Sequence, residues 1–374
     1  MSELSRPDFF WEGFDEFGLF YDVFRDINDA RIWFVGPSPA NLKGELEAAI
    51  VVGDQSGVVA KLQFQKSRSA CVAYVDLPEE DVGLTMRIGT QTLRATIGRN
   101  LSSDFAGMRV LCCINNDNDL NWIADWAKFY QKEHAANAVV VFDNNSSRYT
   151  KSELSAALEG VEGLDQSIVV DWPFHFGTMD KIAQDNGQNG YVRFAQPVMY
   201  MSLYLRMASK ARSILNVDID ELVLSNKGRS IFEATEKRWF GCTKFHRYLV
   251  ENVLAPGSPG NNSVSFSDFV YRSRKQLGPQ DKFKKWAMSP GRVKPRQLVA
   301  QPNTHWVDGV WNPYPVSREF KCYHFAGINT GWRANTQKGE LREWQHERHL
   351  AQNFDPELHL KDEILAEKLD EIFG

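Results

Sequence analysis

The sequence has no apolar run approaching the roughly 18 residues that a bilayer-spanning helix needs. Its first residues are acidic and aromatic, so neither a membrane span nor a signal peptide is expected. Cysteine is scarce. The five present, Cys71, Cys112, Cys113, Cys242 and Cys322, are odd in number, lack zinc-site spacing and suit a reducing compartment. Positive charge is not in excess either, since the net charge of −5 provides no overall basic field for nucleic acid. A Gly-x-Gly-x-x-Gly or Gly-Lys-Ser/Thr phosphate loop is missing, which removes the dinucleotide fold and the P-loop. The expected location is cytoplasmic, with the inner face of the membrane as the place for any peripheral association.

What is present is a 374-residue chain, long enough for two domains, with 43% hydrophobic and 24% charged residues, as in ordinary globular proteins. Aromatics are somewhat rich, with eleven tryptophans; most serve a core, and some offer flat surface for sugar rings. Residues 1–30 are aromatic and acidic and read as a segment packed on a domain. From 30 to about 100, short alternating runs (ARIWFVG, LEAAIVVG, GVVAKLQFQ, ACVAYVDL) recur between Gly, Pro, Ser and Asp turns. That spacing predicts a small all-β domain with a supporting role, closing a first segment of 1–104.

Between 105 and 350 the pattern becomes α/β. Apolar strands at Met108–Ile114, Ala138–Asp143, Ser167–Trp172 and Ser213–Val217 alternate with helices, one of them expected over Tyr191–Ser209. Such alternation predicts a mostly parallel sheet flanked by helices. A further strand is expected over Trp239–Val250, then a Gly/Pro/Ser/Asn-rich loop at 252–266 and a basic stretch at 272–286. The tail, 351–374, predicts an amphipathic helix that docks on the catalytic domain, a partner or a membrane, the first being the plainer choice.

The chemistry concentrates at ILNVDIDELV, where a buried strand runs into Asp218, Asp220 and Glu221. Period two places Asp218 and Asp220 on one side, half of a site for Mg²⁺ or Mn²⁺. The bland alternative is a solvated acidic turn. Carboxyl ends of neighbouring strands bring Asn115, Asp117 and Asp143 to the same edge, where ligands sit in open α/β sheets. Asp143 in DNNSS equally suits a turn. Two aromatic-flanked histidines, His305 and His324, are candidate third ligands, each with a structural histidine as its alternative.

The series NWIADW, VVVFDNNSS, an upstream Gln196 and ILNVDIDELV, over about Met108 to His324, resembles glycosyltransferase-A fold enzymes of the family 92 and bacterial family-2-like type. The INNDND loop departs from the Asn-Glu of many relatives. The resemblance implies a metal-dependent Leloir glycosyltransferase, a hexosyltransferase. It would move sugar from a UDP-sugar to a saccharide or glycolipid acceptor, with inversion, in surface polysaccharide or glycan synthesis. It further implies that Asp220 and a histidine, preferentially His324, hold the ion. Asp218 acts through water or on the ribose, and Asn115, Asp117, Asp143 and Gln196 meet the nucleotide. Arg333, with Lys284, Lys285 and Arg292, is a candidate for the leaving diphosphate. A base after the metal strand is needed for the acceptor hydroxyl, and Glu251 and Asp281 are the candidates, Glu251 preferred for its fixed strand end. Two other classes compete: a non-catalytic carbohydrate- or partner-binding protein on the same fold, and a sugar nucleotidyltransferase. The second normally carries a Gly-rich loop that INNDND lacks.

Overall fold

The computed structural model describes residues 8–27, 30–67, 69–179, 191–254, 264–311, 315–330 and 351–374, with only the backbone at 8, 9, 179, 191 and 281–283. Contacts divide the chain into two compact units, each assembled from separated segments. The first holds residues 1–106, 174–211 and 294–311, and the second 107–173, 212–293 and 312–374. These boundaries differ from the three consecutive segments read from sequence, because 174–211 and 294–311 pack with the amino-terminal part.

The second unit is built on one eight-stranded sheet. Its strands are β1 (Arg109–Asn115), β2 (Ala138–Asp143), β3 (Gln166–Asp171), β4 (Ser213–Asn216), β5 (Glu221–Ser225), β6 (Cys242–Val250), β7 (Gln280–Met288) and β8 (Val316–Phe325). Their spatial order is β3-β2-β1-β4-β7-β6-β8-β5. β3, β2, β1 and β4 are parallel neighbours, as are β6 and β8, whereas β7 and β5 pair antiparallel with theirs. The sheet is therefore mixed, with four of its seven pairings parallel. Only residues 217–220 link β4 to β5, too few for a crossover, so β5 has to run back. Six strands still point one way, and their carboxyl ends share an edge with the starts of β5 and β7.

Local sequence explains the elements that position this edge. Val110 to Cys113 and Ala138 to Phe142 are fully buried, as continuous apolar runs require of strands covered on both faces. Helix α1 (Leu120–His134) starts where the Asp119 side chain accepts the Asn121 amide at 2.9 Å. It buries Ile123, Trp126, Ala127 and Tyr130 along one stripe. His134 ends that stripe; its Nε2 lies 2.7 Å from the Val223 carbonyl oxygen, and burial lowers its pKa to about 4. Helix α2 (Lys151–Glu159) opens with a capping box of Thr150 and Glu153. Helix α3 (Ile231–Glu236) lies between β5 and β6, and helix α4 (Glu363–Phe373) closes the chain. Leu365, Leu369 and Ile372 of α4 join the same core as Trp126 and Tyr130, so the tail docks on its own unit.

At the opposite, amino-terminal edge, Glu236 is a buried joint. It receives Arg109 through two bonds of 2.8 and 2.9 Å, Ser213 Oγ at 2.7 Å and Arg212 at 2.9 Å. Burial pushes its carboxyl up, but Arg109 and Ser213 outweigh that and hold it below the ordinary value of 4.5. A depressed folded-state pKa contributes stability that is fully present above the unfolded value and lost as pH falls through the folded one. Glu236→Gln is expected to cost about 1–3 kcal/mol at neutral pH, with the gap to wild type closing in acid below about pH 4.5. Denaturation midpoints of both proteins across that range check this; a gap constant with pH contradicts it.

The first unit carries two four-stranded antiparallel sheets. One runs Asp22–Arg25, Arg31–Gly36, Cys71–Asp76, Gln63–Gln65 in space, the other Val59–Lys61, Ile50–Gly53, Gly83–Ile88, Gln91–Thr96. Ile32, Phe34, Val51, Val75, Leu84 and Met86 form a shared core. The helix expected over 191–209 starts later: Tyr191–Arg193 is a strand, the α-helix is Ala195–Ser202, and it continues as a π-helical turn over Leu203–Met207. Pro197 explains the late start, because proline fits a first helical turn, where its missing N–H leaves no bond unmade.

Candidate metal centre and strand-end loops

The site begins with the turn between β4 and β5. Val217 and Ile219 are buried in the core, so Asp218 and Asp220 are turned outward. The Asp218 amide donates to Glu221 Oε2 at 2.9 Å, and the Glu221 amide to the Asp218 carbonyl at 3.1 Å, which folds the three carboxylates together. One oxygen from each lies within 4.8 Å of the others.

These acids are not equivalent. Glu221 is fully buried and pairs with Lys285 Nζ at 2.8 Å and Arg247 at 3.3 Å. Lys285, itself 1% exposed, also reaches Asp218 at 2.7 Å. Burial alone would lower the Lys285 pKa, but Asp218 and Glu221 raise it above its ordinary value, so it stays charged. Glu221 is thus engaged from inside, while the Asp218 and Asp220 side chains are 21% and 26% exposed. Facing them, His324 Nε2 lies 3.1 Å from Asp220 Oδ2, in the register that pairs His324 with Glu221. Burial acts to raise the Asp220 pKa, yet His324 and Arg247 hold it below the ordinary carboxylate value. The buried Nδ1 of His324 has no hydrogen-bond partner among the described residues.

Two outward carboxylates and a histidine beside them form a donor set that fits a divalent hard cation. The carboxylates that converge are Asp218, Asp220 and Glu221, and His324 stands beside Asp220 as a further donor able to hold it. Glu221 is spent on Lys285, Arg247 and the Asp218 amide. Arg247 was not singled out from sequence, and Lys285 was read there as a phosphate contact. The structure corrects that reading: Lys285 neutralises the acidic turn from inside.

Beside this turn, β1 and β2 end in register at Asn115 and Asp143. Asn115 Nδ2 donates to Asp143 Oδ1 at 2.8 Å and to Tyr149 at 2.9 Å. Asp143 also accepts Ser146 Oγ at 2.6 Å, a turn role that the DNNSS sequence allowed. Asp117 has a left-handed backbone (φ 55°) and accepts the Ser147 and Arg148 amides at 2.6 and 2.8 Å. Burial raises its pKa less than those bonds lower it. Asp117 therefore ties the β1 and β2 loops together, leaving Asn115 and Asp143 nearer the strand ends.

Glu251 directly follows β6, 6% exposed, at the same carboxyl edge as His324. Asp281, the second residue of β7, lies at that edge with only its backbone described, and Arg333 and the loop residues 255–263 lie outside the described residues. Gln196 and His305 belong to the first unit, where Thr304 donates to Gln196 at 3.3 Å; the acidic cluster belongs to the second.

No family model matches the chain, and no curated protein matches its sequence. Among solved structures it is similar to GalNAc-T7 with UDP, GalNAc and Mn²⁺, at 10% identity and a TM-score of 0.31, covering 62% of this chain and 45% of that one. It is also similar to the WbbM bifunctional glycosyltransferase, at 10% identity and a TM-score of 0.23, covering 54% and 36%. The chain spans less than half the length of either. At such TM-scores a functional reading rests on this chain's own residues.

Proposed function

We propose that the chain is a metal-dependent, inverting glycosyltransferase of the GT-A type. It takes sugar from a UDP-sugar donor to a saccharide acceptor in polysaccharide or glycan synthesis. The observation that carries this reading is the sorting of acids at the β4–β5 turn. Glu221 is engaged from within by Lys285 and Arg247, while Asp218 and Asp220 are partly exposed with His324 beside Asp220. The motif series running from NWIADW to ILNVDIDELV supports the same class. A bound divalent ion would supply positive charge for the diphosphate as it leaves.

The protein residues do the rest. Asp220 and His324 ligate, and Asp218, restrained by Lys285, orients water or the ribose hydroxyls. Asn115 and Asp143 line the strand ends where the nucleoside lies. Glu251 takes the proton from the acceptor hydroxyl, its backbone fixed by the Glu251 amide bond to the Tyr271 carbonyl at 2.8 Å.

A donor-hydrolysis screen of UDP- and GDP-sugars with Mn²⁺ tests this. Release of UDP from one donor, abolished by EDTA, is expected. Release that persists in EDTA, or no release from any donor, contradicts it.

A further inference from the structure

The amino-terminal edge of the second unit's sheet carries two cavities that the proposed chemistry does not use. One, about 300 Å³, lies at the start of β1 and the end of β7 and includes Arg109, Arg212, Lys237 and Arg292. The other, about 330 Å³, lies at the end of β5 and the start of β8 and includes Lys227, Arg238 and Arg318. Their acids are already engaged: Glu236 by Arg109 and Arg212, Glu233 by Lys237, and Glu319 by Arg229. Lys227, Arg238, Arg292 and Arg318 make no ion pair among the described residues. Among the described residues, a chain of net charge −5 thus gathers on one edge four cations outside any ion pair.

Between the cavities stands the turn Lys237-Arg238-Trp239-Phe240, its first two residues lining one cavity each. Trp239 is 64% exposed at the crest, edge-on to Phe240 at 5.4 Å, with Arg238 5.7 Å above the Phe240 ring. Gly241 pins this turn (φ +64°). It donates to the Arg238 carbonyl at 3.0 Å and accepts the Ser289 amide at 2.7 Å. A Cβ there would come within 2.8 Å of Arg292 Cβ, so the crest is held by backbone that only glycine permits.

We propose that this edge docks on an anionic lipid surface, with Trp239 at headgroup depth and the flanking cations on lipid phosphates. Indole prefers the interface between water and lipid, and basic residues beside it are drawn to anionic headgroups. A single small anion uses neither the ridge nor both cavities. An acidic protein partner needs an apolar centre to its interface, and among the described residues of this turn and the two cavities Trp239 is the one exposed large hydrophobic. Docking here directs the carboxyl edge, with the acidic turn, away from the bilayer and toward acceptors arriving from water.

The test is flotation of the full chain with phosphatidylcholine vesicles, with and without phosphatidylglycerol. Flotation only with phosphatidylglycerol, released by high salt, is expected. Arg238→Ala combined with Arg318→Ala should weaken partitioning about thirtyfold, equivalent to about 1 kcal/mol for each cation. Trp239→Ala, with every charge kept, should weaken it at least about tenfold. Melting temperature and UDP-sugar hydrolysis should stay at wild-type values in these variants. Flotation indifferent to phosphatidylglycerol, or unchanged in the variants, overturns the proposal. Binding of poly-glutamate without flotation overturns it in favour of an acidic protein partner.

Discussion

Asp220→Asn is expected to lower sugar-nucleotide turnover by at least about a hundredfold while leaving the fold intact, the loss typical of removing one group aimed at developing charge. The change keeps size and shape but removes the negative charge that faces His324 at 3.1 Å. Asp220 is partly exposed, and its backbone carbonyl still accepts the Phe325 amide at 2.8 Å, so the turn has no reason to open. With Lys285 and Arg247 still in place, the variant turn has one negative charge fewer against the same two cations and attracts a metal ion less. Turnover and melting temperature measured together check this. Wild-type turnover in the variant removes Asp220 from the chemistry, and a collapsed melting temperature reassigns it to structure.

The largest stability effect is expected at Lys285→Met. Methionine fills much of the lysine volume, so packing is nearly conserved and the charge is what goes. Among the described residues, Glu221, fully buried, then keeps Arg247 at 3.3 Å and the Asp218 amide at 2.9 Å. Breaking a buried ion pair by removing one partner costs about 3–5 kcal/mol, because the remaining charge is left in a poor solvent. Adding Glu221→Gln to Lys285→Met should recover part of that loss, since the double variant no longer buries an uncompensated carboxylate. Denaturation midpoints of the two single variants and the double variant give the coupling. A Lys285→Met protein as stable as wild type, or effects that simply add, shows that the pair does not hold the turn.

The same residues show what the sequence made legible. Val217, Asp218, Ile219 and Asp220 announce their placement by alternation alone, and the structure keeps the apolar pair inside and the acids outside. The α1 stripe and the buried strands were equally readable, because their periods reflect burial within one element. The neutralising partners were not. Lys285 and Arg247 lie in strands far along the chain and reach Glu221 through the antiparallel and parallel pairings of β7, β6 and β8. No local period encodes which strands become neighbours. The reversal of β5 and β7 was missed for a related reason, since apolar runs carry no direction. It could have been found from the four-residue link between β4 and β5, too short for a crossover. The start of β6 was also misplaced: Trp239 and Phe240 look like strand residues, but the positive φ of Gly241 holds them in a turn and the strand begins at Cys242.

The central claim is that the Asp218–Asp220–His324 face binds a divalent cation that in turn holds a nucleoside diphosphate. Isothermal calorimetry of UDP with the intact chain, in Mn²⁺ and then in EDTA, measures it most directly. The account predicts saturable 1:1 binding in Mn²⁺ that disappears in EDTA, in Asp220→Asn and largely in His324→Ala. UDP binding of equal strength in EDTA, or undiminished in both variants, would contradict it.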